Sequence, residues 1–140
     1  MIVVSHQHRW SRFSRRETFR TIRCVLKGES QERFPVSVVF TDNRYIRSMN
    51  KKYLGHDRAT DVLAFPLRDG VGVAGEIYVN LDRARRQALD YRVTFGEEVR
   101  RLVIHGMLHL LGYDDETDRK ARTMRTREDR YVEKLRTIKG

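Results

Sequence analysis

The stretch Val99-Arg-Arg-Leu-Val-Ile-His105-Gly-Met-Leu-His109-Leu-Leu-Gly-Tyr-Asp-Asp115 sets the architecture of this chain. Leu102, Val103, Ile104, Met107, Leu108, Leu110 and Leu111 put apolar side chains almost all round a helix predicted over Phe95 to Leu111. Such a helix is stable only when it is buried on every side, so the other elements must wrap around it. His105 and His109 are four residues apart, on one face of that helix, and both can point at a single ion. Gly112 supplies the left-handed backbone that stops the helix, and the chain can then double back to bring Asp114 or Asp115 towards the same ion. Three protein ligands with a fourth position left to water is the pattern of a catalytic zinc; a structural zinc is normally closed by four, often thiolates.

A His-x-x-x-His pair also arises by chance, and two core histidines bonded to carbonyls or carboxylates would satisfy the same spacing, with Glu98 on the same face as a partner. Burial is what favours a metal: an unpaired buried polar group costs about 1–3 kcal/mol, and one ion would satisfy both rings. Gly106 stands where the zinc peptidase pattern His-Glu-x-x-His has its general base, which argues against peptidase chemistry of that form. A glycine inside a helix costs about 1 kcal/mol relative to alanine. Its presence implies the close approach of another backbone, room for a substrate, or a packing requirement.

The chain has 140 residues, enough for one domain (1–140) with a proper core, and 39% hydrophobic with 34% charged residues is ordinary for a soluble globular protein. The first thirty residues carry arginines throughout and no continuous apolar run, so neither a signal peptide nor a membrane span is expected, and the protein is expected to be cytoplasmic. Cys24 is the only cysteine, which excludes an internal disulfide and a thiolate zinc site. The net charge is +10, and 23 of the 29 basic residues are arginine. Arginine's planar fork pairs two donors with a phosphate and stacks on bases, so the balance suits an RNA partner and salt-sensitive binding, set against a merely solvated cationic surface. With no sizeable unexplained apolar stretch on the surface, a monomer is expected.

Periodicity gives an α/β (α+β) order with short connections. Ile2 to Val4 reads as a strand, and Arg15 to Lys27 as a helix with Phe19, Ile22, Val25 and Leu26 on its apolar face, closed by Gly28. Pro35 opens a second strand, Val36 to Phe40, after which Thr41 or Asp42 caps a helix through Tyr45, Ile46, Met49 and Tyr53. Thr60 to Phe65 and Gly75 to Val79 flank a glycine-containing loop, Leu67 to Ala74, and fit a hairpin, so a mixed, mostly four-stranded sheet is expected. Helices follow over Asp82 to Tyr91 and Phe95 to Leu111, with a last one from about Thr117 to Arg136. In that last helix Ala121, Met124, Tyr131 and Leu135 make only a thin stripe among charges. It is expected at the periphery or running into solvent, and no chemistry is assigned to it. Repeats, low-complexity segments and linkers are absent from the sequence.

With these residues in hand the chain resembles the YbeY family of bacterial single-strand-specific endoribonucleases and rRNA-maturation factors. His105-Gly-Met-Leu-His109-Leu-Leu-Gly-Tyr-Asp-Asp is similar to the family's metal motif. Tyr53-Leu-Gly-His-Asp-Arg-Ala-Thr-Asp-Val-Leu-Ala-Phe-Pro66 is similar to its loop and strand, and Ala74-Gly-Glu-Ile-Tyr-Val79 to its following strand. These segments span roughly residues 36 to 115 in the family's order. The resemblance implies a compact fold with a mixed sheet and one zinc held by three side chains. It also implies cleavage of single-stranded RNA in the maturation of the small-subunit rRNA 3′ end and in ribosome quality control. The implied partners are ribosomal RNA and the small ribosomal subunit, with no membrane.

Two positions depart from the family. Its third metal position is usually histidine, and Asp115 stands there in this chain; a carboxylate is a harder donor and lowers the preference for zinc over manganese or magnesium. Its arginine after the tyrosine is replaced by Leu54. Arg58, four residues on, is the candidate to assist at the phosphate, the alternative being a solvated loop charge. The expected chemistry is metal-assisted phosphodiester cleavage with His105, His109 and Asp115 as ligands and Asp114 or Glu98 orienting a histidine ring. Rival readings are a hydrolase of another substrate such as a peptide, and a non-catalytic ribosome-associated RNA-binding protein with a structural metal.

Overall fold

In a computed structural model, which describes residues 1–67 and 72–137, the elements run β1 (Ile2–Gln7), α1 (Arg15–Gly28), β2 (Val36–Thr41), α2 (Asn43–Leu54), β3 (Val62–Pro66), β4 (Gly75–Asn80), α3 (Leu81–Tyr91), α4 (Phe95–Leu110) and α5 (Asp118–Thr137). The strands form one four-stranded sheet in the order β1-β2-β4-β3. β1, β2 and β4 are parallel, whereas β3 runs antiparallel to β4 with Leu63 opposite Tyr78 and Pro66 opposite Gly75. This is the mixed α+β sheet expected from the sequence. Leu67 N–H donates to the Ala74 carbonyl at 2.9 Å, and the middle of the expected hairpin loop, 68–71, lies outside the described residues.

Side chains alternate across a strand, and the two faces of this sheet are covered differently. Val36, Val38 and Phe40 of β2 and Ile77 and Val79 of β4 join the main buried cluster with residues of α1, α4 and α5. One residue out of phase, Val39, Tyr78 and Leu63 meet Ile46 of α2 in a smaller cluster on the opposite face. α4 packs against α1, α3, α5, β3 and β4, which is why its sequence is apolar nearly all round. Gly106 answers to packing: a Cβ there would lie 2.7 Å from Cγ2 of Ile77. The glycine lets α4 settle onto β4.

Gly28 closes α1 as expected, and one expectation about the helices is corrected. Gly28 is the last residue of α1, and the positive φ falls on Ser30 at 56°. Gly28 is glycine because the Tyr131 ring lies against its Cα and would overlap any Cβ. That ring belongs to α5, which is not peripheral, since Met124, Tyr131, Val132 and Leu135 are buried in the main cluster. A stripe spaced 124, 128, 131, 132, 135 follows one helical face, and it is thin only because one of its members is a glutamate. No helix among the described residues is long and apolar enough to cross a membrane.

Candidate metal centre

The centre is built by the way α4 ends. Thr94 caps its start, its hydroxyl accepting from Glu97 N–H at 3.1 Å. At its end Gly112 takes φ 106°, Gly112 N–H donates to the His109 carbonyl at 3.1 Å and Tyr113 N–H to the Leu108 carbonyl at 3.0 Å. This paired i−3 and i−5 bonding is a Schellman termination, which turns the chain sharply back across the last helical turn. The return brings Asp115 beside the two histidines. One ligand atom each from His105, His109 and Asp115 can be chosen so that all lie within 4.8 Å of one another. The two imidazole centroids are 4.7 Å apart at an interplanar angle of 72°.

Of the two aspartates that spacing alone left open, Asp115 joins the group. Asp114 instead accepts from Glu116 N–H at 3.1 Å and pairs with Lys120 at 3.4 Å. Neither Asp114 nor Glu98 is hydrogen-bonded to a histidine. Glu98 is buried and accepts from Gln87 Nε2 at 2.7 Å. The residue that does orient a ring is Glu128 of α5, whose Oε2 lies 2.5 Å from His105 Nδ1. With Nδ1 donating to this carboxylate, Nε2 is left as the acceptor nitrogen of His105, the arrangement by which carboxylates fix metal-ligating histidines. Glu128 therefore overturns the expectation that the last helix carries no chemistry.

Burial alone would lower the His105 pKa, but the hydrogen bond and charge of Glu128, with Asp61 and Asp115, outweigh it and leave the net shift upward. His109 goes the other way, pushed down by burial and by His105 in excess of the opposing carboxylates. A neutral His109 is the form that can ligate. Two imidazoles and a carboxylate, with one ring held by a buried glutamate, fit a divalent transition metal.

A second glutamate braces the returning loop. Glu29, just past α1, accepts from Tyr113 Oη at 2.8 Å and from Tyr131 Oη, and pairs with Arg127 at 3.5 Å. Tyr113 lies between Gly112 and the two aspartates, so this contact ties the turn that carries Asp115 to α1 and α5. Neither Glu29 nor Glu128 has a sequence signal of its own, since each stands in a run of polar residues. The one available hint for Glu128 was its place on the 124–131–135 stripe.

Beside His105 opens a cavity of about 460 Å³ lined by Asp61, Glu98, Arg101, Arg125 and Glu128 among others. Arg101 is engaged by Glu128 at 3.5 Å and Asp129 at 2.9 Å, whereas exposed Arg125 has no ion pair among the described residues. Arg58 is not in this lining. It is exposed and lines a different cavity with Arg44, Arg47 and Lys51.

The chain is thus an α+β protein on a mixed sheet, with a two-histidine, one-carboxylate group at the end of its buried helix. The family profile described as Endoribonuclease YbeY matches residues 4–136. Curated relatives named Endoribonuclease YbeY include one from Chlorobium phaeovibrioides, 39% identical over 113 residues, covering 81% of this chain and 76% of that one. Another, from Flavobacterium psychrophilum, is 37% identical over 108 residues, covering 77% of each. The solution structure of TM1509 from Thermotoga maritima superimposes with a TM-score of 0.68 at 32% identity, covering 95% of this chain and 87% of that one. The chain belongs to the endoribonuclease YbeY family.

Proposed function

We propose that this protein is a metal-dependent endoribonuclease that cleaves single-stranded RNA in rRNA maturation, at the small-subunit 3′ end, and in ribosome quality control. The observation that carries the reading is the convergence of His105, His109 and Asp115 in a chain whose curated relatives are named endoribonucleases. The non-catalytic alternative is not favoured by that kinship, and the absence of a glutamate at position 106 argues against peptide hydrolysis.

One zinc held by His105, His109 and Asp115 is the proposed cofactor, with the carboxylate leaving room for a harder divalent ion. When bound, such an ion supplies Lewis acidity towards water and a phosphoryl oxygen. The chain's own residues do the rest. Glu128 holds the His105 ring through Nδ1 and leaves Nε2 as the nitrogen that can ligate, and Glu29 holds the turn that delivers Asp115. Arg125, on the wall of the same cavity and without an ion pair among the described residues, would offset charge that builds on the phosphoryl oxygens. Arg58 lines a separate cavity, so its proposed role shifts from the reacting phosphate to a more distant one. We further propose a single domain, a monomer, and ribosomal RNA in the small subunit as the partner, consistent with a cytoplasmic protein.

The test is elemental analysis of the protein purified without added metal, followed by cleavage of a labelled single-stranded RNA with and without a chelator. About one zinc per chain, lost in Asp115→Ala, together with chelator-sensitive cleavage, is the expected result. An ion-free protein that takes up no divalent metal on titration, or that cleaves RNA equally well in chelator, would sink the metal mechanism.

A further inference from the structure

Three cavities abut across the surface from the metal-bearing helix. The one beside His105 shares Gln87 and Tyr91 with a second, of about 610 Å³, along α3. That second cavity shares Asn43 and Ala59 with a third, of about 740 Å³, between α2 and the loop that follows it. The shared walls are fixed. Buried Asn80 donates to Asn43 Oδ1 at 2.7 Å and to the Thr60 carbonyl at 3.0 Å, and Arg83 donates to the Ala59 carbonyl at 3.2 Å.

Charge changes along this line. At the His105 end carboxylates dominate, and most are engaged: Glu128 with His105, Asp129 with Arg101, Glu98 with Gln87. In the middle Asp82 is tied to His8 at 2.7 Å and to Asn43 N–H at 3.0 Å, while exposed Arg86 has no ion pair among the described residues. At the far end Arg44, Arg47, Lys51 and Arg58 face a single carboxylate, Asp57, which Arg47 occupies at 2.8 Å. Residues 44, 47, 48 and 51 form one stripe of α2, opposite buried Ile46 and Asn50. Where the first two cavities meet, Tyr91 is 62% exposed at the last position of α3, and Arg92 at φ 57° ends the helix directly behind it.

We infer that single-stranded RNA lies along this track, leaving the metal centre past Tyr91, on which a base stacks, and running to Arg44 and Arg58, which hold backbone phosphates. The inference rests on the endoribonuclease reading. Guanidinium groups with no ion pair among the described residues, leading to an exposed aromatic ring, are what a single strand requires, because every base has a face to stack and every linkage a charge to neutralise. An acidic protein partner would use the arginines and have no need of Tyr91.

The experiment is fluorescence anisotropy of a labelled oligouridylate titrated with the full-length protein across a salt series, with cleavage measured in parallel. Tyr91→Ala is expected to weaken binding roughly tenfold, and Tyr91→Phe to stay within about twofold of the parent. The double variant Arg44→Gln/Arg58→Gln is expected to flatten the dependence of log K on log salt by about 1.4, two phosphates at roughly 0.7 each. Leu89→Ala, on α3 and 79% exposed but outside the cavities, should bind normally. A protein that binds and cleaves RNA while Tyr91→Ala and the double variant behave as the parent overturns the track and leaves the nuclease standing. Equal loss of RNA and polyglutamate binding in the double variant, with Tyr91→Ala silent, marks a general cationic surface and also overturns it. A parent protein that neither binds nor cleaves single-stranded RNA overturns both readings.

Discussion

The arginines of α4 and α5 and those of the α2 groove are indistinguishable in the sequence but act differently in the fold. Arg100, Arg101 and Arg136 are each paired with a glutamate or aspartate of another helix, and Arg127 with Glu29 just past α1. They help fasten the helices around the metal centre. Arg44, Arg58 and Arg86 have no such partners among the described residues and face open grooves. The two sets divide the labour. Near the centre, Arg125 excepted, charge serves geometry and the side chains are held by one another, whereas along the groove charge is left for a polyanion. Chemistry and affinity should therefore respond to different substitutions.

The sharpest break of that division comes from His109→Ala. It removes one of the three ligands, so bound metal and RNA cleavage should fall to background while RNA affinity stays within about twofold of the parent, since the groove cations carry the binding. Metal analysis, a cleavage assay and anisotropy on one preparation read all three. Loss of RNA affinity in step with loss of metal would show that the two regions are not separable.

Glu128→Gln sits one step back from the ion. The glutamine amide keeps the size of the glutamate but not its charge, and metal affinity should drop by about 10- to 100-fold, the range seen when partners of ligating histidines are changed. Competition with a chelating dye measures this. An unchanged affinity would mean that Glu128 serves packing alone. Gly106→Ala tests the same region through its backbone: the new Cβ meets Cγ2 of Ile77, a buried β-branched residue with little freedom to move, and stability should fall by about 1–3 kcal/mol in urea unfolding.

How much of this was legible in the sequence follows from which signals are local. The histidine pair, the glycine stop and the turn that delivers Asp115 all lie within eleven residues, and helix geometry relates them directly. The mixed sheet was legible too, because β-branched runs and a glycine-containing loop mark β3 and β4 in order. Glu128 was not, since it meets His105 across 23 residues and two helices whose packing angle no local pattern specifies. Gly28 was legible as the end of α1, but its reason was not local: a glycine at a helix end usually marks a left-handed cap, yet this one answers to Tyr131, more than a hundred residues away. Asp61, which bears on His105 electrostatically and lines its cavity, stood inside a quoted motif with no role attached to it.

The smallest expected effect separates the buried brace from the exposed groove by pH. Burial, and then the hydrogen bond to Glu29, hold the Tyr131 hydroxyl above its ordinary value of 10.0, and Glu29 does the same for Tyr113. In the unfolded chain these groups ionise near their ordinary value, so above that pH the folded state retains protons that the unfolded state has released. The stability they contribute is whole below about pH 10 and is lost as pH rises through the raised folded values. Tyr131→Phe removes one such proton, so its stability should decline less steeply above pH 10, by up to about 1.4 kcal/mol per pH unit. Groove variants such as Arg44→Gln should leave that slope untouched, because no contact among the described residues joins them to the tyrosines. Urea unfolding at pH steps from 8 to 11 gives the comparison. An alkaline slope identical in Tyr131→Phe and the parent would mean that the Glu29 cluster does not hold its protons as its burial requires.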